Sequence, residues 1–469
     1  MLGKRRPARA ASTGPSRGNG DVTAAAPDVL DVHGLAHDGR GVARTAQGKT
    51  VFIDAALPGE RVAVAIHRTR QRYDEAHVRE RLTASAQRVT PPCPHAGRCG
   101  GCDLQHLAVP AQRRHKQAVL QELLARQGIA LTAPPQLLHG ADAHYRRRAR
   151  LGVKVDADGT RHLGFRARHS HRLVDLETCT VLVPALEALL APLHQLVAAL
   201  EAPRQVGHLE LLESDRCVVV VVRQLREHAA DRRRWQAFAA AQGVHVAHRL
   251  GRETPELAWL SPAPTLRCCV PGPHEDLLLQ VAPGDFLQAN DEVNRLMVHT
   301  ALAWLAPLAA GERVLDLFAG VGNFSLPLAA AGARVTAVEG SAAMVARLAD
   351  SAQRAGLALT ACQANLADPA AGHALLEQGT PDIVLLDPPR EGADTLSRLL
   401  AAHPVARLLY VACDPATLAR DAARLVHAGY RIRRAAVADM FVHTSHLESM
   451  LLFEHPEAPR QAQGAPSDG

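Results

Sequence analysis

Residues 313–324 read RVLDLFAGVGNF, and the fold turns on this stretch. Val314, Leu315 and Leu317 make a short apolar strand with Asp316 near its end. Gly320 and Gly322 then let the backbone turn tightly into a helix beginning in NFSLPLAAAG, 323–332. Downstream, apolar runs alternate with helical patterns: RVTAVEG (334–340), MVARLADSAQRAG (344–356), DIVLLDPP (382–389), TLSRLLAAHP (395–404), LLYVAC (408–413) and PATLARDAARLVHAG (415–429). That order predicts a parallel α/β sheet with crossover helices over residues 284–455. Ligands of such sheets lie beyond the carboxyl ends of the strands, which directs attention to Asp316, Glu339, Asp387 and Cys413.

The glycine loop suits a nucleoside ligand. Glu339 ends the next strand, nineteen residues after Gly320, where a carboxylate can accept hydrogen bonds from both ribose hydroxyls. A dinucleotide loop would carry a third glycine, but Ser325 stands at that place. An adenosyl sulfonium cofactor is therefore favoured over NAD, with Phe318, Asn323 and Asn365 at loop positions able to touch it.

Working outward, residues 28–85 alternate short apolar runs with Gly and charge, and their turn signals predict a small β-barrel. Arg40, Arg44, Arg61, Arg68, Arg70 and Arg72 on it would suit RNA. Residues 86–283 form an α+β middle domain. It begins with a cysteine run and an amphipathic helix containing Val119, Leu120, Leu123 and Leu124, and includes a Leu-rich helix at 184–200 and strands in HLELLES and RCVVVVVR. Residues 1–27, a basic tail, and 456–469 read as disordered. The net charge of +6 favours a polyanionic partner, and arginine supplies nearly all the cations, since Lys4, Lys49, Lys116 and Lys154 are the only lysines. No long apolar run predicts a membrane span and the N-terminus lacks a signal-peptide pattern, so a cytoplasmic protein is expected.

Nine cysteines in such a chain argue for ligation, catalysis or burial rather than disulfides. Cys93, Cys99 and Cys102, in CPHAGRCGGC, with Cys179, predict a four-thiolate metal site that fits zinc or an iron–sulfur cluster; spacing does not separate the two. Cys413 has a different setting. It leaves a strand at the sheet edge, with Asp387 after the preceding strand and Glu448 in HTSHLESMLLF. A thiol, two carboxylates and a sulfonium suit methylation at pyrimidine C5, a carbon made nucleophilic when a thiolate attacks C6; a base then removes the C5 proton. Amine methyltransferases commonly carry an aromatic residue where this chain has Arg390.

Taken together, FLQAN (286–290), LDLFAGVGNF, VEG, LLDPPR, YVACDP, HLESM and the cysteine run resemble the RNA 5-methyluridine methyltransferases across residues 28–455. The resemblance implies a class I, Rossmann-like S-adenosylmethionine domain, an iron–sulfur lobe in the middle domain and an N-terminal TRAM-like barrel. It implies a [4Fe-4S] cluster on Cys93, Cys99, Cys102 and Cys179. Gln288, Phe318, Asn323, Glu339, Asn365 and Asp387 would line the cofactor and substrate pocket, with Cys413 as nucleophile and Glu448 as base. Asp368 is an alternative to Asn365. Barrel and cluster together point to the subgroup acting on 23S ribosomal RNA, at the uridine numbered 1939 in the subgroup's name, with a monomer expected. A transfer RNA or other ribosomal site, or a catalytically idle RNA-binding protein, are the alternatives. The family usually has Ser and Asn flanking the nucleophile; here Ala412 and Asp414 do, and an ionised Asp414 near the thiol would raise its pKa.

Overall fold

The structure, a computed structural model, describes residues 28–458 apart from 216, 254, 255 and 378. The tails expected at 1–27 and from 459 onward lie outside the described residues, whereas 456–458 close a turn in which Ala458 is buried.

Eight strands form the catalytic sheet, in the order Leu359–Gln363, Arg334–Glu339, Arg313–Leu317, Ile383–Leu386, Arg407–Ala412, Glu448–Glu454, Arg431–Ala438, Gln136–Leu138. The first five are parallel, and Glu448–Glu454 runs antiparallel between its two neighbours. From Arg313–Leu317 the chain builds outward to one edge and then returns to build the other side, leaving a crevice beyond the strand ends at that reversal. Side-chain alternation divides the sheet between two cores. Val314, Leu385, Leu409, Val411, Met450 and Leu452 pack toward helix Asp291–Leu305 and the hairpin Arg267–Pro271/Asp276–Gln280. Leu315, Leu317, Leu386, Tyr410, Leu451 and Phe453 face helices Asp394–Ala402 and Pro415–His427.

Residues 109–138 cross the boundary expected at 284. Helix Val109–Arg126 contributes Val119, Leu120 and Leu124 to the second core, and Gln136–Leu138 pairs parallel with Arg431–Ala438 as the sheet's eighth strand. Three residues are too few to show a strand period in the sequence. The same helix buries polar groups as well as leucines. Lys116 and Asp439 are fully buried together, Nζ to Oδ1 at 2.6 Å; Lys116 also donates to the Phe441 carbonyl at 2.9 Å, and Arg113 Nε meets Asp439 Oδ2 at 3.0 Å.

The middle domain is a seven-stranded sheet in which only Val218–Gln224 and His245–Leu250 run parallel. The expected Leu-rich helix is two, Pro184–Glu187 and Leu190–Ala199, joined at Ala188 and Leu189, which both stay in the right-handed helical region. Its leucines are nonetheless core. At the N-terminus, six strands form a curled sheet around Leu30, Val32, Val51, Ile53 and Val62. Val29–Asp31 pairs with Arg61–Thr69 at one edge while the next strand, Gly34–Leu35, pairs with Gly41–Arg44 at the other, so one bent segment spans the curl. Several of its arginines are paired within the module: Arg40 with Asp38 and Glu75, Arg61 with Asp31, Arg68 with Glu75.

The expected metal site is corrected. Among the described residues no group of three or more His, Cys, Asp or Glu could hold a metal ion, so metal binding and the iron–sulfur lobe are withdrawn. Cys93, Cys99, Cys102 and Cys179 are free thiols along one cavity wall. Burial pushes Cys99 and Cys179 up, and Cys102 up to about 12, with neighbouring thiols adding to the effect, so all three are neutral thiols here. The spacing in CPHAGRCGGC marks proximity, not a donor set.

Leaving Asp439 without its buried ammonium partner should be costly. Lys116→Met is expected to lose about 3–5 kcal/mol of unfolding free energy in urea titrations, and adding Asp439→Leu to recover most of it. A loss under about 1 kcal/mol for Lys116→Met would show that Arg113, the other cation at Asp439, is enough to satisfy it.

Candidate active site

Strand pairing alone brings the proposed nucleophile and base together. The antiparallel ladder pairs Val411 with Met450 and Ala412 with Ser449 and ends there, so Cys413 leaves one strand beside Glu448, which opens the other and pairs with Ala438 on its far edge. Opposed residues share a face, here that of Val411 and Met450. Asp387 continues the alternation of Ile383 and Leu385, and Asp316 that of Val314, so both carboxyls belong to the same face.

These groups are short of countercharge. Burial pushes Glu448 up to about 8, with Asp387 adding and Arg390 opposing. It pushes Asp387 up to about 7, with help from Asp316, although the Asp387 side of the crevice stays partly open. Asp316, against Ser325 Oγ, is pushed up to about 7 by burial despite the hydrogen bond, and its Oδ1 has no partner. Cys413 is half-buried and pushed up to about 12, first by burial, then by Glu448 and Asp387; Arg390 again acts the other way. Asp414 is not among the groups that raise it. Its carboxylate caps helix Pro415–His427, accepting from the backbone N–H groups of Ala416 and Thr417 at 2.9 Å each. A side chain that caps a helix start explains an Asp at this position.

On the other side of the crevice, Gln288, Phe318, Asn323 and Asp387 line one small cavity with Arg147 and Leu287. Phe318 has φ +67° and Gly322 φ +101°, so the loop carries strain at the one and needs a glycine at the other. Glu339 accepts from Gly320 N–H at 3.1 Å and Ser341 N–H at 2.9 Å, which aims it at the loop. Asn365 holds its own turn, accepting from Ala367 N–H, while Asp368 accepts from Ala370 N–H in the first turn of helix Pro369–Glu377. Neither lines the small cavity with Gln288. The unpartnered Asp316 Oδ1, the glycine cradle and Glu339 suit a nucleoside bearing a cationic sulfonium.

Three contributors have no sequence signature. Asn294, buried on helix Asp291–Leu305, exchanges amide hydrogen bonds with Asn323 at 2.8 and 2.9 Å. Buried Arg147 donates to the Gln288 carbonyl at 3.0 Å and pairs with Asp291 at 2.7 Å. The third is the loop between Ala438 and Glu448. A groove of about 1000 Å³ runs from the four thiols past Arg146, Arg150, Arg166 and Arg168 to Arg390 and the loop's Phe441, Thr444 and His446. Its basic lining and its end at Arg390 suit a polyanion reaching the Cys413 crevice.

The model of the tRNA (uracil-5-)-methyltransferase family matches residues 109–355 and 374–456, and that of the TRAM domain residues 29–78. The chain belongs to this family. Among its relatives, the 23S rRNA (uracil(1939)-C(5))-methyltransferase RlmD of Halomonas elongata is 60% identical, covering 100% of this chain and 99% of its own. The protein of the same name from Chromohalobacter salexigens is 56% identical over 98% of this chain and 96% of its own. A solved structure of Pyrococcus abyssi tRNA (uracil-54, C5)-methyltransferase with S-adenosyl-L-homocysteine superposes at TM-score 0.69, covering 90% of this chain and 99% of its own at 20% identity, a likeness of fold. The family start at 109 coincides with the helix that enters the catalytic core. Among the described residues no helix is long and apolar enough to cross a membrane.

A carboxyl held at about 8 against an ordinary 4.5 binds a proton in the folded state that the unfolded chain has released. Stability from this site is therefore intact below about 4.5 and lost as pH rises toward 8. Glu448→Gln should be more stable to unfolding than the parent at pH 8, by up to about 4 kcal/mol, with the difference vanishing near pH 4.5. Equal melting curves at pH 8 would mean that Glu448 is solvated.

Proposed function

We propose that the protein transfers a methyl group from S-adenosylmethionine to C5 of uridine 1939 in 23S ribosomal RNA, with Cys413 as nucleophile and Glu448 as base. The meeting of Cys413 and Glu448 at the end of one ladder, close enough for Glu448 to act on the thiol, carries this reading, and the 60% identity to the Halomonas elongata enzyme over the full chain supports the choice of RNA. The site of action is then the cytoplasm.

Gln288, Phe318, Asn323, Glu339 and Asn365 would hold the cosubstrate, which supplies an electrophilic methyl group. Asp387, at the crevice floor beside Gln288, orients the uracil ring. The target nucleotide must leave its stack for C6 to meet a thiol at a strand end. The Cys413 thiolate then forms an S–C6 bond, and the electron pair of the C5–C6 double bond moves to C5, which takes the methyl. Glu448 accepts the C5 proton; the C5–C6 double bond reforms as the S–C6 bond breaks, returning the thiolate. Cys413 is neutral in the free protein, so once the ring is seated its proton passes to solvent through the partly open Asp387 side of the crevice. Arg390, the cation that favours the charged forms of both Cys413 and Glu448, assists.

Three outcomes follow for purified full-length protein with unmodified 23S RNA and labelled cosubstrate. Cys413→Ala should abolish 5-methyluridine formation while cosubstrate binding stays within about twofold; normal turnover would rule out covalent catalysis. Transfer to tRNA alone would overturn the ribosomal assignment, and transfer to neither would favour an idle RNA-binding protein. Because Glu448 must be ionised to take a proton, turnover should rise with pH through about 8, and a profile flat from pH 6 to 9 would remove Glu448 from that role.

A further inference from the structure

The base-bearing loop, residues 439–447, is held largely from outside its own sheet. Asp103, next to Cys102, accepts from Ser445 twice: Oδ1 from the backbone N–H and Oδ2 from Oγ, both at 2.7 Å. The backbone N–H groups of Asp103 and Leu104 both donate to the His443 carbonyl, at 3.1 and 2.9 Å. His443, at φ +69°, is fixed further by Gln112, whose Oε1 accepts its N–H at 2.8 Å and whose Nε2 lies 3.2 Å from Nδ1. Tyr145 donates to the Val442 carbonyl at 2.8 Å. Gly39 of the N-terminal sheet closes the cluster: a Cβ there would meet Leu104 Cδ2 at 2.8 Å and Ser445 Cβ at 3.7 Å. Three residues after Ser445 comes Glu448.

We infer that Asp103 is a positioning residue for proton removal at C5, fixing through Ser445 the approach of the loop to Glu448 and so coupling the cysteine segment 93–107 to the base. This rests on Glu448 being the base. The two hydrogen bonds use both carboxylate oxygens in a fork, which sets direction as well as distance for a backbone that must sit at one register. Glu448 has burial and a neighbouring carboxyl acting on it, but no hydrogen-bonding side chain among the described residues holds it. Its aim therefore depends on the backbone that delivers it. A displacement of about 1 Å of a reacting group costs up to about 100-fold in rate. The loss should fall on the step Glu448 performs, leaving attack by Cys413, carried on a different strand, nearly untouched.

The test is single-turnover reaction of the full chain with 23S RNA and cosubstrate, following both the covalent protein–RNA adduct and 5-methyluridine, with Glu448→Gln run in parallel. Asp103→Ala should form adduct at a rate within about threefold of the parent and resolve it about 10- to 100-fold more slowly. Asp103→Asn can accept the Ser445 N–H and donate to Oγ, so it should resolve adduct near the parent rate. Resolution at the parent rate in Asp103→Ala, or equal slowing in Asp103→Asn, overturns the inference. If Asp103→Ala does not fold, Ser445→Ala removes one of the two bonds and should slow resolution severalfold; parent-rate resolution in it overturns the inference equally. Glu448→Gln that accumulates no adduct would overturn the base assignment itself, an outcome distinct from adduct in Glu448→Gln but none in Asp103→Ala.

Discussion

Lys116 and Asp439 are both fully buried and paired, with Arg113 a second cation at Asp439. Burial pulls Lys116 toward its neutral form while Asp439 holds it charged. An isolated buried ion costs several kcal/mol, so helix Val109–Arg126 and the start of the base-bearing loop can only be buried together. From that contact the loop passes under Tyr145, Gln112 and Asp103 before it enters the last strand. The candidate site is thus assembled from segments more than three hundred residues apart in the chain, and its precision belongs to a junction of the six-, seven- and eight-stranded sheets rather than to the last alone.

The crevice concentrates groups that folding disfavours. Asp316, Asp387 and Glu448 are three carboxyls on one sheet face, each raised by burial, and Arg390 is the cation that opposes this at Glu448. Their desolvation weakens the fold and simultaneously brings their titration into the range where a proton can be given or taken near neutrality. A ring and a sulfonium entering this space meet dipoles already fixed in place.

The strand ends were readable because glycine, aspartate and proline punctuate them: Gly320, Gly322, Asp387-Pro388 and Asp414-Pro415 each sit where an apolar run stops. Alternation of strand and helix was enough for the parallel sheet. Other elements left no local mark. Lys116 lies in QRRHK, which reads as a solvated face because its partner is in the far C-terminal segment. Gln136–Leu138 is too short for a period, and Asn294 belongs to no motif. The flank Asp414 looked like a perturbation of the thiol; in three dimensions it is a helix cap. CPHAGRCGGC gathers thiols as its glycines allow, yet gathering is not ligation.

That Cys413 and Glu448 meet at the end of one ladder has a consequence for how this protein can vary. In a ladder, the partner of each residue is fixed by counting, so the gap between the proposed nucleophile and base follows the register of the strands that carry them and not the length of helix Pro415–His427 between them. Insertions in the turn after helix Pro415–His427 could lengthen the surface there and leave the pair together, whereas the loop 439–447 is held by Asp103 and Gln112. A slip of a single residue would instead present Ser449 to Cys413 and turn the carboxylate to the far face. The backbone therefore acts as a ruler, tolerant of length between the two marks and intolerant of any error in where they are cut.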